Sequence, residues 1–167
     1  MQILILSDSH GDSQILTDLV SRYSDQVDYY IHCGDSELSD QDTIWNLYTT
    51  VQGNMDFYPF ATEAVLDTDQ GKIVIVHGHL HQVKQGDQTL VSLAKEKQAD
   101  IVCYGHTHVM DCHETEGVLI INPGSIRLPR GEYPKPSYAI LTIDKAGNKS
   151  VAFYNRDNNL IPEDYWQ

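Results

Sequence analysis

Positive charge is scarce in this chain. Eleven Lys and Arg face 24 Asp and Glu in 167 residues, a net charge of −13 with His neutral. Such a surface repels a nucleic-acid backbone and an anionic bilayer, so neither a long nucleic acid nor a membrane is an expected partner. Cysteine is scarce too: there are three, an odd number, with no Cys-x2–4-Cys pair. That excludes a disulfide framework and a cysteine zinc site, and it suits a reducing compartment, the cytoplasm. Long apolar runs are missing. Ile3–Leu6 leads straight into Ser7-Asp8-Ser9-His10, too short for a signal core or a membrane span. What the chain does have is 41% hydrophobic residues, enough for a folded core, and a length that suits one domain over 1–167. It also has eight His, which composition leaves unexplained.

Strands and helices alternate along the chain. Ile3–Leu6 fits a strand buried on both faces. Ile15, Leu16, Leu19 and Val20 recur at helical spacing, with Asp12 or Ser13 as N-cap. Val27–Ile31 fits a second strand, Asp42–Leu47 a short helix and Tyr48–Val51 a third strand. Glu63–Leu66 alternates weakly, and Lys72–Val76 is a β-branched run. Leu90–Lys97 is helical and Ile101–Tyr104 extended. Four more strands follow, over Val109–Cys112, Val118–Ile121, Tyr138–Ile143 and Ser150–Phe153, divided by turns such as Glu116-Gly117 and Ala146-Gly147-Asn148. The order βαβα followed by β-rich segments predicts an α/β fold with a mixed sheet or two sheets.

Five of these strands are followed at once by Asp, Asn or His: Asp8 and His10, Asp35, Asn54, His77 and His79, His106 and His108. In open α/β sheets ligands bind at the carboxyl ends of strands, where loops distant in sequence meet. One Asp-x-His is weak, but five clusters in one structural setting imply convergence on one place. Carboxylate, amide oxygen and imidazole together suit Mn, Fe, Zn, Co or Ni. Asp8, His10, Asp35, Asn54, His77, His106 and His108 are too many for one tetrahedral ion and suit two ions sharing a carboxylate. Two divalent ions outweigh the charges of Asp8 and Asp35, which makes a trap for a phosphate inside an acidic protein.

The series Asp8-Ser9-His10, Gly34-Asp35, Gly53-Asn54-Met55-Asp56, His77-Gly78-His79 and Gly105-His106-Thr107-His108 resembles the calcineurin-like metallophosphoesterase superfamily. The small size and Asn122-Pro123-Gly124-Ser125 resemble its compact YfcE-like phosphodiesterase branch. The resemblance spans roughly residues 1–143 and implies a four-layer α/β/β/α sandwich. It implies Asp8, His10 and His108 on one metal, Asn54, His77 and His106 on a second, and Asp35 bridging them. The activity implied is hydrolysis of a small phosphate diester by a hydroxide held between the ions, Mn being the expected metal. Two other readings stand beside it: a non-catalytic protein-interaction module on the same fold, and a nuclease acting on short or cyclic nucleotides.

One position departs from the pattern. Many superfamily phosphatases place a His after the Asn, where it is thought to protonate the leaving oxygen; here that residue is Met55. General acid catalysis is worth ~10²–10⁴-fold, so its loss predicts preference for aryl diesters over alkyl monoesters. His79 is the rival donor. The tail beyond residue 122 holds the one local basic excess, Arg127, Arg130 and Lys135 beside Glu132, and either arginine fits a contact to a second phosphate or ester group. His32 fits a hydrogen-bonded core residue, His81 and His113 fit solvated positions, and the three cysteines fit small buried residues. Tyr165-Trp166 fits either a cap on the fold or a contact to a partner, and a homo-oligomer is left open.

Overall fold

Alternation inside the strands decides the layers. The computed structural model describes residues 1–167. The chain runs β1 (Gln2–Leu6), α1 (Ser13–Tyr23), β2 (Tyr29–His32), β3 (Tyr48–Thr50), β4 (Glu63–Thr68), β5 (Gly71–Val76) and α2 (Gln88–Lys97). It continues through β6 (Ile101–Cys103), β7 (Met110–Thr115), β8 (Val118–Pro123), β9 (Ser137–Ile143) and β10 (Lys149–Asn155). The strands form two mixed five-stranded sheets, ordered β10-β9-β1-β2-β3 and β4-β5-β6-β8-β7. In the first, β1, β2 and β3 are parallel neighbours while β9 and β10 run antiparallel. In the second, β5, β6 and β8 are parallel while β4 and β7 close the edges antiparallel.

Successive side chains of a strand point to opposite faces. Ile3 and Ile5 of β1 therefore meet Ile73 and Ile75 of β5 and Ile101 and Cys103 of β6 in the core between the sheets. Leu4 and Leu6 point the other way, onto Ile15, Leu16 and Leu19 of α1. Val74, Val76 and Val102 point outward onto Leu90, Val91 and Ala94 of α2. The result is the expected α/β/β/α order of layers. Both faces of the central strands are buried, which is why they read as apolar runs.

The helices start and stop on local chemistry. The Asp12 carboxylate accepts the Ile15 N–H at 3.3 Å and so caps α1. Helix α2 ends at Gln98, whose φ of 58° turns the chain out of the helix, with Lys95 and Lys97 in the last turn facing the negative end of the helix dipole.

Two expectations are made more definite and one is corrected. The short helix expected over Asp42–Leu47 is a 3-10 helix over Thr43–Asn46, capped by Asp42. His81 is buried rather than solvated, because its backbone turns back onto Gly78 and its ring sits against Glu63 at 3.4 Å. Trp166 is buried, its ring centroid 4.7 Å from that of Phe153 in the inter-sheet core, so it closes one end of the sandwich. Tyr165 stays exposed and rests on Tyr133.

Candidate metal centre

Five loops leave the carboxyl ends of β1, β2, β3, β5 and β6 at one edge of the sandwich. They are tied to one another by main-chain bonds: Asp8 N–H to Gly34 C=O, His10 N–H to Asp35 C=O, and Gly105 N–H to His77 C=O, each within 3.0 Å. The approach is close. A Cβ on Gly53 would overlap the Asp35 carboxylate, and one on Gly105 would overlap the Ser7 hydroxyl and crowd Asp8. Only glycine lets these loops meet. Asp8, His10, Asp35, His106 and His108 all have positive φ, between 43° and 69°. That region costs a non-glycine residue of order 1–3 kcal/mol and clusters at functional sites. Here it turns each side chain sharply out of its strand axis toward the others.

The seven expected ligands come together. His108 Nε2 lies 3.2 Å from Asp8 Oδ1, His77 Nε2 3.8 Å and His10 Nε2 3.9 Å from the same oxygen. His77 Nε2 also lies 3.3 Å from Asp35 Oδ2 and 3.1 Å from Asn54 Oδ1. The Asp8, His10, His108 donors form one compact group and the Asp8, Asp35, His77 donors another. His106 stacks edge-on to His77, ring centroids 5.2 Å apart, and its main-chain N–H donates to Asp8 Oδ2, while its ring joins neither compact donor group.

The donor set fits a cation. His10 donates its Nδ1–H to Glu37 Oε1 at 2.8 Å, His77 to Cys33 C=O at 2.7 Å and His108 to Leu128 C=O at 2.7 Å. Each bond fixes the proton on Nδ1 and leaves a lone pair on Nε2, aimed inward. His10 Nε2 and His108 Nε2 then stand 3.3 Å apart with no proton between them. Asp8 Oδ1 is fully buried with no hydrogen-bond partner. Lone pairs and a naked carboxylate oxygen converging in a buried space repel one another unless a positive charge stands among them. His77 shows the same demand. Burial opposes its charge, but the bond to Asp35 and the charge of Asp8 outweigh burial and raise its pKa above the usual value. Burial works to raise the Asp35 carboxyl, yet the bond and charge of His77 hold it below the ordinary range.

Supporting residues surround this set, and the sequence alone did not single out most of them. Asp56 accepts from the N–H groups of Asp35, Gly53 and Glu37 at 2.7–3.0 Å, locking the β2 and β3 loops together. Ser125, fully buried, donates to Asp8 C=O and accepts from Arg127 N–H and Leu128 N–H. Asn122 donates to Gly105 C=O and Thr107 Oγ1. The segment Asn122–Ser125 at the end of β8 thus fastens the β1 loop and the β6 loop. His32 is a buried core residue: its Nε2–H donates to Ser9 Oγ, and its Nδ1 accepts from Gly34 N–H. Full burial pushes it down to about 3. Cys33 and Cys103 are buried and Cys112 is half-buried.

A cleft of about 470 Å³ opens over the cluster. Asp35, Asn54, His106 and His108 form part of its wall, joined by Met55, Leu128, Arg127 and Arg130. Met55 is 56% exposed. His79 does not line this cleft. Its ring packs 5.4 Å from His77, and burial, then the charge of His77, pushes its pKa below the ordinary histidine value.

Comparison with known proteins agrees with this geometry. Residues 1–146 match the calcineurin-like phosphoesterase superfamily domain. Probable metallophosphoesterase YsnB of Bacillus subtilis (strain 168) is 42% identical over 164 residues, covering 98% of this chain and 96% of YsnB. The crystal structure of a conserved Streptococcus pneumoniae TIGR4 protein, termed a predicted phosphoesterase, superposes with a TM-score of 0.91 at 39% identity, covering 96% of this chain and 92% of that one. Vps29 of Entamoeba histolytica, crystallised with zinc, shares the fold at a TM-score of 0.74 and 21% identity, with 96% of each chain covered. The donors drawn to one sheet edge and the match over residues 1–146 lead to one conclusion: the chain belongs to the calcineurin-like phosphoesterase superfamily.

Proposed function

We propose that this protein is a two-metal phosphodiesterase acting on small phosphate diesters, with Mn²⁺ as the expected metal. The observation that carries the reading is the convergence of the inward-facing Nε2 atoms of His10, His77 and His108 on the orphaned Asp8 Oδ1. Asp8, His10 and His108 would hold one ion, and Asn54, His77 and His106 the other. Asp35 would bridge them, and Asp8 Oδ1 lies near enough to His77 to share in both groups. When bound, the ions lower the pKa of a water nucleophile toward ~7 and neutralise charge on the phosphoryl oxygens.

The chain's own residues do the rest. Glu37, Cys33 C=O and Leu128 C=O hold the three imidazoles in the lone-pair-inward tautomer, so the donors need no reorganisation at each turnover. Asn54 and Asp35 face the cleft where the ester would lie. Met55 occupies the wall without a proton to give, and Asp56 is committed to three backbone N–H groups. His79 does not line the cleft, and its lowered pKa leaves little of it protonated at neutral pH to serve as a proton donor. No residue is therefore assigned to protonate the leaving oxygen, which favours esters whose leaving group departs as a stable anion.

The test compares a bis-aryl phosphodiester with an aryl and an alkyl phosphomonoester, using wild type and Met55→His with Mn²⁺. Wild type should favour the aryl diester, and Met55→His should raise the alkyl-to-aryl turnover ratio by at least ~10-fold. An unchanged ratio would overturn the missing-acid account. No turnover of any ester with any divalent ion would favour the protein-interaction module.

A further inference from the structure

The chain's negative balance makes two of its arginines conspicuous. Arg127 and Arg130 are the only cationic Lys or Arg residues in the wall of the cleft, and neither is paired with a carboxylate. Arg156, two strands further along the sequence, does find a partner, Asp12 at 2.8 Å. Eight of the eleven Lys and Arg lack a carboxylate partner; what sets these two apart is their place in the cleft wall beside the donor cluster, where a bound anion would meet them. Glu37 shares the wall, but its carboxylate is taken by His10 Nδ1 at 2.8 Å.

The arginines are also positioned by the site. Arg127 N–H is held by Ser125 Oγ, and its Nη1 donates to His10 C=O. Arg130 N–H donates to His108 C=O at 3.0 Å. Both are thus fastened by main chain to loops that carry metal-site histidines. A guanidinium has five donors in a planar fork suited to phosphate oxygens, and one contact to His10 C=O leaves most of Arg127's donors free. Met55 and Leu128 give the same cleft apolar wall for the organic part of an ester.

We infer that Arg127 and Arg130 form a subsite for a second phosphate, so the preferred substrate is a phosphate diester that carries a further phosphate on its alcohol. The inference rests on the phosphodiesterase reading above. Two probes share one scissile bond: thymidine 5′-(p-nitrophenyl phosphate), and the same ester with a 3′-phosphate. On the Mn²⁺-loaded protein the 3′-phosphate should lower KM about tenfold, the scale of charge-assisted hydrogen bonds from a guanidinium to a phosphate. Arg127→Gln with Arg130→Gln should bring the KM ratio of the two probes to about one, with each single variant in between. Lys135→Gln, outside the cleft, should keep the tenfold ratio. A ratio near one in wild type, or a tenfold ratio retained by the double variant, overturns the subsite and leaves the phosphodiesterase reading standing. If neither ester is hydrolysed, that reading fails. Calorimetric titration with thymidine 3′,5′-bisphosphate against thymidine 5′-monophosphate then decides the subsite. Tighter bisphosphate binding, lost in the double variant, supports it; equal binding overturns it.

Discussion

At the scale of the residue, protons are assigned by what each ring nitrogen touches. His10, His77 and His108 give their Nδ1–H to oxygen acceptors and keep Nε2 for the centre. His32 is the opposite case. Its Nδ1 must accept from Gly34 N–H, so the ring is neutral in the folded state and a second proton has no room. Its folded pKa, about 3, lies below the unfolded value of 6.5. The neutral ring's stabilisation is therefore complete above pH 6.5 and is lost progressively as pH falls toward 3, by up to ~1.4 kcal/mol per pH unit from this group. Denaturant unfolding of chelator-treated protein should show stability falling below pH 6.5, and His32→Gln should flatten that slope. An equal slope in the variant would contradict the assignment.

At the scale of the element, the site is a property of strand ends and of the turn that clamps them. Ser125 helps join the β1 loop to the start of the 126–130 segment through three hydrogen bonds. Ser125→Ala leaves two N–H groups and the Asp8 carbonyl without that partner, at a cost of ~1–3 kcal/mol. Chemical denaturation would measure it, and a loss under ~0.5 kcal/mol would show that the hub matters little. Much of this level was legible beforehand. The runs Ile3–Leu6 and Lys72–Val76 are strands because both faces are buried, and the seven expected ligands follow strands in sequence, five of them (Asp8, His10, Asp35, His77 and His108) meeting in two compact donor groups. The supports were not legible. Ser125 acts on a residue 117 positions away and Asp56 on one 21 away, distances at which no periodic pattern speaks. His81 reads as solvated, and Trp166 reads equally as a cap or a partner contact, because burial at a loop or a terminus depends on what the fold lays over it.

At the scale of the whole molecule, an acidic protein is built around a place that wants positive charge. A net −13 leaves the surface repellent to long polyanions, while ions at the strand ends would invert the sign locally. The strain of five positive-φ residues and the mutual repulsion of their donors are held by two five-stranded sheets whose central strands are buried on both faces. Ion binding should relieve that repulsion and so couple activity to stability by mass action, ~2.7 kcal/mol when free ion stands at a hundred times its Kd. The most direct measurement is hydrolysis of a bis-aryl phosphodiester by chelator-stripped protein titrated with Mn²⁺, with bound metal counted at each step. Turnover that is absent without metal, rises to a plateau at two ions per chain and is abolished by Asp35→Ala is the predicted result. Turnover that plateaus at one ion, survives in Asp35→Ala or never appears with any divalent ion would contradict the account.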